Sequence, residues 1–114
     1  MPKDPLLYLD DILEAIDHIH QFLADMNFEQ FSQDKKTQYA ILRCLEIIEE
    51  ASGRLLSNYK NIAPEIEWRK IIALRNILIH EYFGISLPIV WDVIQNKLAP
   101  LEESCKILLE QLKN

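Results

Sequence analysis

The sequence predicts an all-α fold, an antiparallel bundle of four to five helices that forms a single domain over residues 1–114. Apolar residues recur at steps of three and four through most of the chain, which is the period of an amphipathic helix. Alternating β-branched runs and Asn-Gly or Asp-Gly hairpin signals are missing from the sequence. With 49% hydrophobic and 26% charged residues, the composition is typical of a folded globular domain.

We expect the first helix over about residues 5–26, with Asp4 as its N-cap and Pro5 at its first position. Its acidic side chains fall mostly on the face opposite the apolar stripe and are interpreted as a solvated surface. His18 and His20 are two residues apart and do not share a face, so we expect surface or interface positions and no metal site. The apolar stripe consists of Leu9, Ile12, Leu13, Ile16, Ile19, Leu23 and Met26.

A polar connection over residues 27–36 is predicted to separate this helix from the second one. Ser32 is the expected N-cap of the second helix, which ends near residue 58. Three carboxylates on this helix have no His or Asp at a matching spacing, so they are expected to be surface charges and not metal ligands: Glu46, Glu49 and Glu50. Its apolar stripe includes Ile41, Leu45, Ile48 and Leu55, with Leu42 and Ala51 beside it.

The rest of the chain is predicted to contain the remaining helices. Pro64 lies where a third helix begins, and Gly84 where it ends. Ser86 is the expected N-cap of a fourth helix, and Pro100 marks a break or a new first turn before the last helix. Both tryptophans are expected to pack in the core or at an interface, although an indole can also stack on a base: Trp68 and Trp91.

Composition also limits the function classes. Cys44 and Cys105 occupy apolar positions of helical patterns and form no CxxC pair, which predicts two reduced core cysteines. We find neither a signal peptide nor a membrane span, and we therefore expect a cytoplasmic protein. The net charge of −6 would repel a polyanion at long range, so any action on RNA requires a focused local site.

One segment stands apart from this generic pattern. Within residues 74–84, Arg75 and Asn76 interrupt an apolar helix, and His80 and Tyr82 gather near its end. Residues five apart point roughly 140° apart around a helix, so Arg75 and His80 do not stack on one line. A two-fold dimer can bring both residues from each subunit into one cleft.

These residue types suit RNA cleavage without a metal ion or a cofactor. The imidazole of His80 can take the proton of a ribose 2′-OH, and the guanidinium of Arg75 can hold the phosphate and stabilise its developing charge. Asn76 can add a neutral hydrogen bond. The pattern alone also admits a simpler interpretation, with Arg75 at the surface and His80 as a cation favoured by the helix C-terminus.

The wider sequence closely resembles the signature region of the HepT-like toxins, within the HEPN superfamily. The matching run is Pro64-Glu-Ile-Glu-Trp-Arg-Lys-Ile-Ile-Ala-Leu-Arg-Asn-Ile-Leu-Ile-His-Glu-Tyr-Phe-Gly84, with an intact Arg-x4-His-x-Tyr motif. Residues 43–51 look like the second helix of that family, and residues 88–91 resemble the helix after the motif. The resemblance covers nearly the whole chain.

This resemblance implies a HEPN-like homodimer with catalytic Arg75 and His80, assisted by Asn76, in a cleft between protomers. The implied activity is that of an endoribonuclease toxin that cuts cellular RNA, in a type VII-like system. The implied partner is a minimal nucleotidyltransferase antitoxin, which silences the toxin by transferring AMP from ATP to Tyr82. The alternative is a non-catalytic module that binds a nucleotide or supports a nucleotidyltransferase.

Overall fold

The computed structural model describes residues 4–59 and 86–113. Both ranges are helical almost throughout and contain no strand, so the predicted all-α class is confirmed. A π-helical turn over Val93–Lys97 joins the last two helices without interruption. The α-helices are α1 (Pro5–Leu23), α2 (Phe28–Ser32), α3 (Lys35–Tyr59), α4 (Leu87–Asp92) and α5 (Leu98–Lys113).

The start of α1 is as predicted, but the helix is shorter at its end. The Asp4 carboxylate accepts the Leu6 N–H at 2.8 Å, and Pro5 occupies the first turn, where its missing N–H costs nothing. The helix ends at Leu23 because Ala24 adopts a positive φ of 49°. Met26 therefore lies beyond the helix, although it still packs against the core.

The connection predicted over residues 27–36 contains a helix instead. Asn27 and Gln30 form a reciprocal capping box, in which the Asn27 side chain accepts the Gln30 N–H at 2.8 Å and the Gln30 side chain accepts the Asn27 N–H at 2.9 Å. These two bonds satisfy backbone donors that the start of a helix leaves without partners. They support α2, although that helix has only five residues.

The prediction that Ser32 caps the second long helix is wrong. Ser32 is the last residue of α2, and its hydroxyl donates to the Glu29 carbonyl at 2.7 Å. The cap of α3 is Asp34, whose carboxylate accepts the Thr37 N–H at 3.0 Å. Asp34 precedes the first turn directly, whereas Ser32 is already committed to the preceding helix.

The core lies between α1, α3 and the α4–α5 run. Helix α1 packs chiefly along α3 and also contacts α5. The predicted stripes of α1 and α3 are confirmed as buried faces, with Leu13 and Leu42 at the edge and only partly buried. The buried apolar residues of the third layer are Val90, Val93, Ile94, Leu98, Leu101, Cys105 and Leu108.

An aromatic cluster fastens α2 to α4. The Phe31 ring is fully buried, and its centroid lies 5.6 Å from that of Trp91. Phe28 meets the same indole edge-on, also at 5.6 Å. Trp91 is therefore a packing residue, as predicted, and the cluster fixes the position of the short helix against the bundle.

The π-helical turn explains how the chain passes Pro100 without a break. The Leu98 N–H bonds to the Val93 carbonyl, five residues back. Pro100 has no N–H, and in a regular α-helix its ring would clash with the carbonyl four residues earlier. The wider π-turn ends three residues before Pro100, which lies in the first turn of α5 as predicted. Ser86 occupies the N-cap position of α4 as expected, but its side chain makes no capping bond.

None of the helices within residues 4–59 and 86–113 is long and apolar enough to cross a bilayer.

Candidate functional site

The predicted catalytic motif lies outside the described residues. Arg75, Asn76, His80 and Tyr82 all fall within residues 60–85, as do Trp68 and the predicted third helix. Their roles stay predictions. In the sequence, the motif segment lies between α3, which ends at Tyr59, and α4, which begins at Leu87.

An open cleft of about 310 Å³ lies between the first half of α1 and the second half of α3. Its α1 side is formed by Tyr8 and Asp11, which are half-buried. The α3 side carries a carboxylate and a guanidinium over an apolar floor, from Ile47, Glu50, Ala51 and Arg54. The sequence did not reveal this cleft, because it depends on the register in which two distant segments pack.

The charges of this cleft do not suit an anion. Asp11 and Glu50 contribute two carboxylates, against the single guanidinium of Arg54. Among the described residues that line the cleft, a phosphate group would meet more carboxylates than cations. The cleft is therefore not where we place contacts to a polyanion.

The net negative charge of the chain comes from α1 and the residues that flank it. Residues 4–25 carry six carboxylates and no Lys or Arg, and the net charge of the whole chain is also −6. Asp10, Glu14 and Asp17 are exposed on the outer face of the helix, as predicted. The remainder of the chain is close to neutral, so the acidity is a local property of one face.

The outer face of α3 changes sign along its length. Lys35, Lys36 and Arg43 are exposed in the first half, and no carboxylate occurs between residues 35 and 45. Carboxylates follow from residue 46 onward, and Glu46 and Glu50 are exposed. This basic run is visible in the sequence as Lys-Lys-x-x-Tyr-x-x-x-Arg without an acidic residue, but it was not among the predicted sites.

Two cysteines and one aspartate have shifted pKa values. Burial raises the pKa of the Cys44 thiol, and burial together with the nearby Glu102 carboxylate raises that of Cys105 to about 12. Both thiols are free and buried, as predicted. Hydrogen bonds from Thr37 lower the pKa of Asp34. A raised thiol pKa suppresses the nucleophilic thiolate, so these cysteines are structural.

The histidines and glutamates of the described helices do not cluster as metal ligands. Within residues 4–59 and 86–113, no group of three His, Cys, Asp or Glu side chains is arranged to hold a metal ion. His20 is exposed, and half-buried His18 lies against Phe22 with ring centroids 5.9 Å apart. The exposure of His20 agrees with the expected surface or interface position, and His18 lies only partly at the surface.

Comparison with known proteins gives a consistent family assignment. The sequence model of a family described as "Ribonuclease HepT-like" matches residues 12–108. A protein of Thermococcus cleftensis named "Probable ribonuclease HepT" is 43% identical over 95 residues, which cover 83% of this chain and 86% of the relative. No solved structure gives a significant match.

Two further relatives agree in length as well as in sequence. A protein of Methanocaldococcus jannaschii named "Putative RNase" is 46% identical over 99 residues, covering 86% of this chain and 82% of the relative. A protein of Caldanaerobacter subterraneus with the same description is 33% identical over 111 residues, covering 97% and 99%.

Proposed function

The chain belongs to the HepT-like ribonuclease family, and on this basis we propose that it is a metal-independent endoribonuclease that cuts cellular RNA in the cytoplasm. The observation that carries the proposal is the Arg75-x4-His80-x-Tyr82 motif, which lies within the stretch that the family matches. Arg75 and His80 are the proposed catalytic residues, and Asn76 assists them.

The proposed reaction is an in-line transfer within the RNA. His80 takes the proton of the 2′-OH, the 2′-oxygen forms a bond to phosphorus, and the bond from phosphorus to the 5′-oxygen breaks. The leaving oxygen takes up a proton, and the product ends are a 2′,3′-cyclic phosphate and a 5′-OH. Arg75 holds the phosphate and stabilises its negative charge, which a planar guanidinium does well.

The proposed site is shared between two copies of the chain. Arg75 and His80 are five positions apart, so one regular helix does not align them. A two-fold interface that pairs this segment with its copy would place two arginines and two histidines around one phosphate. We therefore propose a homodimer as the active form, with residues 1–114 of each protomer as a single HEPN-like domain.

The proposed regulation is covalent and acts at Tyr82. A minimal nucleotidyltransferase antitoxin would transfer AMP from ATP, forming a bond between the tyrosine oxygen and the α-phosphorus while pyrophosphate leaves. Tyr82 is two residues from His80, so the added phosphate would lie near Arg75 and compete with RNA for it. This makes the chain the toxin of a type VII-like toxin–antitoxin pair.

A second candidate function is a non-catalytic module that binds a nucleotide or supports a nucleotidyltransferase. The net charge of −6 favours it, since a polyanion is repelled by a uniformly acidic protein. The net negative charge, however, comes from residues 4–25, and the remainder of the chain is neutral in sum. The charge therefore does not decide against RNA cleavage, and the motif favours the ribonuclease.

The deciding experiment compares wild-type protein with His80→Ala on total RNA in the presence of EDTA. Wild-type protein is expected to leave 2′,3′-cyclic phosphate ends, and His80→Ala to leave none. His20→Ala removes an exposed imidazole far from the motif in sequence and is the matched control, with cleavage as in wild type. Size-exclusion chromatography with light scattering checks that all three proteins have the same mass.

Two results would reject the ribonuclease mechanism. If His80→Ala still cleaves RNA, His80 is not the general base. If EDTA abolishes cleavage by wild-type protein, the reaction is not independent of metal. If wild-type protein does not cut at all, its intact mass decides. An AMP group on Tyr82 identifies a silenced toxin, whereas an unmodified inactive protein supports the non-catalytic module.

A further inference from the structure

We infer that the exposed face of the first half of α3, formed by Lys35, Lys36, Tyr39 and Arg43, is where single-stranded RNA docks before it is cut. We call these four residues the α3 basic face. The inference rests on the proposed ribonuclease function and adds the surface that recognises the substrate. It uses only side chains that the structure describes, all of them exposed.

The four side chains share one face of the helix. At about 100° per residue they span an arc of roughly 100°. Ile41 and Leu45 are buried and point to the opposite side of α3. Eight steps from Lys35 to Arg43 give the face a length of about 12 Å along the axis. This is an outward stripe that a flexible strand can follow without disturbing the core.

Tyr39 is the reason to name a nucleic acid strand as the occupant. Its exposed fraction is 68%, the largest of the exposed large hydrophobic residues in the described part of the chain. An aromatic ring that lies open to solvent between cations is the arrangement that binds single strands, because the ring stacks on a base and the cations contact the phosphates. A double helix would not offer an unstacked base to this ring.

Lys35 and Lys36 occupy positions at which a positive charge disfavours the helix. Lys35 and Lys36 begin α3, and its first turn contains no acidic residue. The positive end of the helix dipole disfavours cations in this turn and favours carboxylates. Asp34, just before the helix, supplies the cap through its hydrogen bond with Thr37, and the charge of Lys36 favours the ionised carboxylate to a smaller extent. A position that conflicts with local stability is typical of a residue kept for binding.

Arg43 can exchange its present partner for a phosphate. It contacts Glu46 at 3.2 Å, and both side chains are about two-thirds exposed, at 67% and 69%. Ion pairs this exposed are weak, because water solvates both charges. A phosphate offers the guanidinium a fork of two oxygens in place of the carboxylate.

Charge complementarity selects this face over the others described. No other run of described residues places three cations without an intervening carboxylate, whereas α1 carries four carboxylates and no Lys or Arg, and the described lining of the cleft beside it has more carboxylates than cations. For a protein with a net charge of −6, a polyanion has to be met by such a local positive region.

The test measures binding of a fluorescent single-stranded RNA oligonucleotide by anisotropy, with every variant made in the full-length His80→Ala protein so that the probe stays intact. We expect the triple variant Lys35→Gln, Lys36→Gln, Arg43→Gln to weaken binding about tenfold or more at 0.1 M salt. Its plot of log Kd against log salt should also lose a slope of about 2, for three phosphate contacts on a single strand.

A matched triple variant controls for net charge. Lys97→Gln, Lys106→Gln and Lys113→Gln remove the same three charges from exposed positions in the last part of the chain. This control should change binding by less than about twofold. At Tyr39, Phe should bind as the parent does, whereas Leu should bind roughly fivefold or more weakly, because only the aromatic ring stacks on a base.

Three outcomes overturn the inference: equal loss in both triple variants, unchanged binding in the α3 triple variant, or a changed oligomeric mass in that variant, which would make the face a contact between copies of the chain. Circular dichroism confirms that the variants fold. The proposed cleavage is judged separately. If RNA binding depends on the α3 basic face but wild-type protein does not cleave RNA, only the ribonuclease proposal is rejected. If the α3 triple variant, made in the wild-type background, cleaves RNA at the normal rate, only the docking surface is rejected.

Discussion

The Phe31 ring lies against the Trp91 indole with centroids 5.6 Å apart and the ring planes inclined by 38°. This contact joins residues 60 positions apart in the sequence, and it holds the five-residue helix α2 on the bundle. A helix this short has little stability of its own, so the packing of its aromatic side chains decides whether it forms.

Replacing Phe31 with Ala should therefore destabilise the protein by about 3–5 kcal/mol, the usual cost of removing a buried phenyl ring. Phe28→Ala is the control, because Phe28 touches the same indole but is 37% exposed, and it should cost less than half as much. Urea unfolding followed by circular dichroism measures both. Equal losses would show that the two rings are equally buried in solution.

Ala24→Gly should stabilise the protein by about 1 kcal/mol. Ala24 has a positive φ of 49°, where a Cβ atom costs about 1–3 kcal/mol and glycine is unstrained. The greater freedom of glycine in the unfolded chain offsets part of this gain. Ala40→Gly, inside α3, should instead lose about 1 kcal/mol. Thermal unfolding of both variants should give shifts of opposite sign, and shifts of the same sign would contradict the strained turn after α1.

The cap of α3 should make stability depend on pH in the acid range. Hydrogen bonds from Thr37 lower the pKa of Asp34 below 3.8, so the carboxylate favours the folded state above that pH. The contribution is lost as the pH falls through the lower folded value. Asp34→Ala should lower the melting temperature by a few degrees at pH 7 and have a smaller effect near pH 2.

Asp34→Asn separates the hydrogen bond from the charge. The amide oxygen still accepts the Thr37 N–H, so most of the stability at pH 7 should remain, whereas the acid dependence of this residue should vanish. A melting temperature of Asp34→Asn as low as that of Asp34→Ala would mean that the charge, and not the cap, stabilises α3.

Cys105 should make stability depend on pH in the alkaline range. Its folded pKa is about 12, against 9.0 for an ordinary thiol, because burial disfavours the thiolate. Its contribution is complete below pH 9 and is lost as the pH rises towards 12, at about 1.4 kcal/mol per pH unit for one proton. Cys105→Ala lacks this dependence, so its stability deficit should shrink above pH 9. A constant deficit between pH 7 and 11 would contradict the shift.

The long helices could be predicted because each apolar stripe repeats over several turns, so that single residues that break the pattern do not hide it. Ile12, Ile16 and Ile19 are all fully buried, as the spacing indicates. The short helix α2 was missed because its segment is mostly polar. Its signals were local ones, the Asn27 and Gln30 capping pair and the Phe28 and Phe31 pair at helical spacing. The burial of Phe31 depends on Trp91, which no local pattern connects to it.

The features proposed to be functional also differ in how far the sequence predicts them. The chemistry proposed for Arg75 and His80 rests on their residue types and on the family resemblance, and not on any contact in the structure. The cleft beside Tyr8 and Asp11 depends on how α1 and α3 are aligned, which no single segment encodes. The α3 basic face lies between these cases, since its charges were visible in the sequence but the exposure of Tyr39 was not.

The carboxylates of α1 and the cations of α3 lie on different helices, so the electrostatic potential differs between these two parts of the surface. At 0.1 M salt, screening limits the effect of each charge to a range of about 10 Å. An approaching polyanion is therefore affected by the charges of the nearest face more than by the net charge of the protein. Encounters that present α1 are repelled, and encounters that present Lys35, Lys36 and Arg43 are retained. The uneven distribution of charge, and not the net charge of −6, then acts on orientation: collisions at α1 are discouraged, whereas collisions at the proposed docking face are favoured.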